Sequence, residues 1–152
     1  MNDNTPLAVA YYMNGTNFRM SAEKLMDSLE LDDAGRPTKL TTVPLYFLAS
    51  HAAELFLKAA LLKRGFAEVN LKKHDHRHNL AALLQEIQSK GVPVTGDTVA
   101  VVQGLSEQHK THQLRYTVLV DDGTETYWPP LSLVFAALDE LLLLTRISTH
   151  GV

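Results

Sequence analysis

Apolar residues recur along this chain at three- and four-residue spacing, the period of a helix that buries one stripe. Between Pro6 and Leu31 the pattern is carried by Leu7, Tyr11, Phe18, Ala22, Leu25 and Leu29, with Gly15 as an interruption expected to bend the helix. Asp32-Asp33-Ala34-Gly35-Arg36-Pro37 is a turn by composition. A second helix is expected from a cap at Thr42, through Pro44 in its first turn, to a stop at Gly65 behind Lys63 and Arg64. Between Pro44 and Leu62 only Ser50, His51, Glu54 and Lys58 are strongly polar. A helix apolar nearly all round belongs in the middle of a bundle or at a subunit interface.

A polar loop is expected from Phe66 to His78. A third helix should start at Asn79 as cap, bury Leu80, Leu83, Leu84 and Ile87, and stop at Gly91 and Pro93. A fourth should run from near Asp97 to about His109 with Val99, Val102 and Leu105 inward. Val118 to Tyr127 places β-branched residues around Asp122-Gly123, which suits either a tight hairpin or an irregular loop. Pro129-Pro130 opens a last helix with Leu131, Val134, Phe135, Leu138, Leu142 and Thr145 on one face. Leu133, Ala137, Leu141 and Leu144 form a second apolar flank, so this helix needs two partners. Short connections point to an all-α, antiparallel up-and-down bundle of about five helices, one domain spanning 1–152.

Composition narrows the chemistry. The 152 residues suit one domain, and 45% hydrophobic with 20% charged residues is ordinary for a globular chain. A net charge of −3 means that any nucleic-acid contact must come from a local patch. With no cysteine there is no disulfide, thiolate metal site or Cys nucleophile. Met1 to Ala10 has no signal-peptide pattern, and the apolar stretches 45–62 and 131–144 carry ionisable residues, so a cytoplasmic chain without membrane spans is expected.

Two features carry candidate chemistry. His51, Glu54 and Lys58 lie at i, i+3 and i+7, on one side of the second helix. Ionisable groups on a largely buried helix are costly unless paired. Either Glu54 and Lys58 form an i, i+4 ion pair with His51 as a satisfied partner, or the stripe opens into a polar pocket completed by His78 and by Arg115-Tyr116. The second feature is the stretch from Lys63 to His78, the one basic patch of an acidic chain, with its charge concentrated in Lys72-Lys73-His74-Asp75-His76-Arg77-His78. It is a solvated loop by default. It suits phosphate or RNA backbone, and His74, His76 and His78 could instead take a metal such as zinc or nickel. No phosphate loop, dinucleotide fingerprint, His-Glu-x-x-His or Gly-x-Ser-x-Gly motif is present.

Glu54-Leu55-x-x-Lys58-Ala59-x-Leu61, then Gly65, then His78-Asn79-Leu80-x-x-Leu83-Leu84, with Arg115-Tyr116 ahead of a final apolar helix, resembles the HEPN domains (higher eukaryotes and prokaryotes nucleotide-binding). Asn79 stands where the family usually has Asp. The resemblance implies an antiparallel helical bundle, usually a homodimer, with nucleotide- or RNA-linked roles in defence, toxin–antitoxin pairs or stress. It also implies, in many members, a metal-independent ribonuclease built on an Arg, four to six residues, then a His. No pair here has that spacing: Arg77 touches His78, and Arg146 and His150 have three residues between them. The expected function is therefore a non-catalytic domain without cofactor. It would bind a nucleotide or RNA phosphate, or a protein partner such as a nucleotidyltransferase, through His51, Glu54, Lys58, His78, Arg115 and Tyr116. A divergent ribonuclease using Arg146 and His150, or His78 with Arg115, and a metal-binding bundle are the alternatives.

Overall fold

A computed structural model describes residues 5–34, 42–73, 78–110 and 129–146. These fold as an all-α bundle of α1 (Thr5–Asp27), α2 (Thr42–Lys63), α3 (Glu68–Leu71), α4 (Leu80–Ser89), α5 (Gly96–Lys110) and α6 (Leu131–Leu144). The candidate hairpin at 118–127 lies outside the described residues.

α2 is the axle. Leu45, Tyr46, Phe56, Leu57 and Leu61 are fully buried, and α1, α4, α5 and α6 all pack on it. Each such side chain contributes about 1.5–3 kcal/mol of burial. By length and mean hydropathy, 1.4 over its most apolar window, α2 could cross a membrane, yet 78% of that window is buried inside the bundle. Its apolar flanks are thus covered by its own chain, and of its large apolar residues only Val43 is well exposed.

Local signals set the helix ends. The α2 stop is a glycine cap: Gly65 takes φ +84°, its N–H donates to Leu62 O at 3.1 Å and the Phe66 N–H reaches Leu61 O at 3.0 Å. Only glycine adopts that backbone without steric cost. Asn79 caps α4, its side-chain oxygen accepting from the Ala82 N–H at 3.1 Å. Thr95 precedes α5, and Glu140 of α6 accepts from the Thr95 N–H at 2.9 Å, the Thr95 hydroxyl at 2.7 Å and the Thr98 hydroxyl.

Four expectations need revising. α1 ends at Asp27 rather than near Leu31. It also runs on through Gly15, whose use is close approach: a Cβ there would stand 2.7 Å from the Phe56 ring. The loop after α2 holds a one-turn helix, α3, because Leu71 is apolar enough to be buried. On α6 the buried set is Leu131, Val134, Ala137, Leu138, Leu141 and Thr145, while Phe135 and Leu142 are half-buried and Leu133 is 40% exposed. The two expected flanks are therefore redistributed around one broad buried face.

Alternation of helix direction is not strict. α1 is antiparallel to α2, since Tyr11 meets Lys58 and Phe18 meets His51. α2 and α6 run the same way: the Tyr46 hydroxyl donates to Pro129 O at one end, and Arg64 Nη1 donates to Leu144 O at 2.8 Å at the other. Arg19 ties α1 to α6 through Asp139 at 2.7 Å and lies over the Phe135 ring at 5.5 Å.

Candidate functional site

Glu54 is 1% exposed and is the hub of a four-residue cluster. Its Oε1 is 3.0 Å from His78 Nδ1 and 3.5 Å from Lys58 Nζ, and its Oε2 is 3.3 Å from His51 Nδ1. Only the His78 contact is aligned as a hydrogen bond; the other two are ion-pair distances. A carboxylate this deep would be costly alone, and the surrounding basic groups offset its desolvation.

Each partner is placed by a different element. His51 and Lys58 come from α2 itself, one turn either side of Glu54. His51 is edge-on to Phe18 of α1 at 4.5 Å between ring centroids, and its ring is parallel to Phe47 at 6.1 Å. Lys58 lies 5.7 Å from the Tyr11 ring centroid of α1. Burial raises the Tyr11 phenol above its usual 10.0, and the nearby carboxylates Glu68 and Glu54 push the same way against Lys72. His78 precedes the α4 cap at φ +58°, a left-handed backbone uncommon outside glycine, and its ring meets Glu54 from there.

The three basic side chains are not sealed in. Side-chain exposure is 26% at His51, 14% at Lys58 and 29% at His78, against 1% at Glu54. The arrangement is a buried anion under a basic rim. Glu54 also fixes His78 chemically: with Nδ1 engaged by the carboxylate, Nε2 is the ring's remaining proton site.

Of the expected site residues, Glu54, Lys58, His78 and His51 therefore converge. Arg115, Tyr116, His74, His76 and His150 lie outside the described residues. Arg146 is exposed just after α6. Of the basic stretch, residues 74–77 lie outside the described residues, and two of its described cations are engaged within the fold. Arg64 turns inward, donating from Nη1 to Ala60 O at 2.9 Å as well as to Leu144 O, and burial pulls its pKa below the ordinary guanidinium value. Lys72 pairs with Glu68 at 3.0 Å one helical turn away. Among the described residues no group of three or more His, Cys, Asp or Glu is arranged to hold a metal ion.

Sequence reasoning missed Tyr11, Phe18 and Phe47. The first two carried a signal, since both sit on the apolar stripe of α1; what they touch depends on how α1 registers against α2. No protein-family model, curated protein or solved structure matches the chain.

Proposed function

We propose that this chain is a HEPN-like domain that binds the phosphate of a nucleotide or RNA at the rim formed by His51, Lys58 and His78. The observation that carries the reading is the convergence of three basic side chains on one buried carboxylate, each keeping part of its surface in solvent. Glu54 holds the three in place, so little ordering is left for the ligand to impose. Lys58 supplies a fixed charge and the imidazoles supply N–H donors. The resemblance supports the same reading, because His78, 24 residues from Glu54 in its motif, meets the Glu54 carboxylate that Lys58 also approaches. Arg115 and Tyr116 enter the proposal from the resemblance, as a further cation and a base-stacking ring.

The test is titration of a labelled oligoribonucleotide and of AMP into wild type, Lys58→Gln and His78→Gln, with thermal melting to confirm folding. Binding by wild type that weakens with salt, and at least tenfold weaker binding in folded variants, supports the reading. Equal affinities in all three proteins, or no binding by wild type, overturns it.

One observation favours a second reading, a divergent ribonuclease. The Glu54–His78 hydrogen bond is how a carboxylate orients an imidazole for general base catalysis. Cleavage of labelled RNA by wild type, His78→Ala and His150→Ala separates the two, and identical background rates in all three remove the catalytic reading.

A further inference from the structure

A groove of about 480 Å³ lies between α4 and α5, beginning at Asn79, the residue after His78. Its rim is made of carboxamides, Asn79, Gln85, Gln88 and Gln103, over a floor that includes Ala82 and Leu84. The volume falls within the usual range for small-ligand sites. Among the described residues no ionisable side chain lines it, so it suits a neutral ligand group with paired donors and acceptors. A carboxamide is both donor and acceptor, and its two ends match the N6 and N7 edge of adenine.

The groove and the rim draw on consecutive residues: His78 stands at the rim and Asn79 lines the groove. Asn79 holds the α4 cap with its side-chain oxygen, which accepts from Ala82 N–H at 3.1 Å and lies 3.5 Å from the Ser106 hydroxyl. The start of the groove is thus anchored to the backbone that carries His78. A ligand filling both places has an anionic end at His78 and Lys58 and a neutral, hydrogen-bonding end along α4.

We infer that the α4–α5 groove is the base subsite of the phosphate rim and takes an adenine base whose phosphate sits at His78 and Lys58. The inference rests on the phosphate-binding reading above. The adenine can belong to a mononucleotide or to an RNA end.

Isothermal titration of the full chain with ribose 5-phosphate, AMP, UMP and a short oligoadenylate tests it, using wild type and Gln85→Ala/Gln103→Ala. Both substitutions are at exposed positions. The expected result is AMP about tenfold tighter than ribose 5-phosphate and UMP, in line with one bidentate base contact. The double variant should lose that preference while holding ribose 5-phosphate as before. Oligoadenylate tighter than AMP assigns the subsite to RNA, and the reverse assigns it to the mononucleotide; either supports the subsite. Equal binding of AMP, UMP and ribose 5-phosphate overturns the base subsite and leaves the phosphate rim standing. Binding of none of them overturns both.

Discussion

Glu54 is the one charged residue fully buried among those described, and its neighbours are laid out as its counter-charges. Removing a partner from a buried ionic cluster costs about 3–5 kcal/mol when the remaining charge is stranded. Here Lys58, His51 and His78 retain some access to water, so Glu54→Gln should fall at the lower end, about 3 kcal/mol, in urea unfolding. Lys58→Met should cost at least as much, about 3 kcal/mol, because it strands the buried carboxylate without its one fixed counter-charge. An unchanged midpoint in Glu54→Gln would mean that the cluster does not orient the helices. The spacing of His51, Glu54 and Lys58 made this stripe legible in the sequence, and the Asn79 cap placed His78 at the start of a helix. That these groups meet, and that the aromatic side chains Tyr11, Phe18 and Phe47 flank them, could not be read there. No local period encodes which turn of α1 faces which turn of α2.

At the level of the helices, two glycines carry opposite burdens. Gly15 has an ordinary helical place and no room: its would-be Cβ meets Phe56 Cε1 at 2.7 Å and Cδ1 at 2.8 Å. Gly65 has open space and a backbone at φ +84°. Gly15→Ala should therefore destabilise through overpacking, by about 1–3 kcal/mol, less the roughly 1 kcal/mol that alanine gains in a helix. Phe56→Leu in that background should recover part of the loss, which thermal melting can read. Gly65→Ala should cost about 1 kcal/mol with no such rescue. The α5 start offers a pH test. Burial pushes the Glu140 carboxyl up, but hydrogen bonds from the Thr98 hydroxyl and from the Thr95 N–H and hydroxyl outweigh it, so the net shift is below the usual 4.5. A carboxyl lowered on folding stabilises above its unfolded value and loses that contribution as pH falls through the folded one. Glu140→Gln should flatten this part of the acid limb in a stability-against-pH series, and an unchanged slope below pH about 4.5 would count against the cap. The larger helices were visible from periodicity and caps. α3 was not, because four residues are too few to show a period.

Across the whole molecule, the all-α architecture follows from helices that each carry an apolar stripe, and most of it was legible before the structure. The shared direction of α2 and α6 was not. It depends on long-range contacts, the Tyr46 hydroxyl at Pro129 and the Arg64 guanidinium at Leu144, separated by 83 and 80 residues in sequence. Arg64 reads as part of a basic patch only while its neighbours are known by sequence alone. Arg64→Met should leave the α2 stem packed, lose the bond to Leu144 O, and cost about 1.5–3 kcal/mol. Amide hydrogen exchange at the end of α6 should quicken selectively, and uniform protection would show that the clamp is idle.

The central position of α2 has a consequence for biosynthesis. Its last covering, α6, is made of residues 131–144, translated long after α2 itself has left the ribosome. Until then the partly made chain displays a greasy trough around Tyr46, and holding factors that recognise such surfaces have a window in which to engage it.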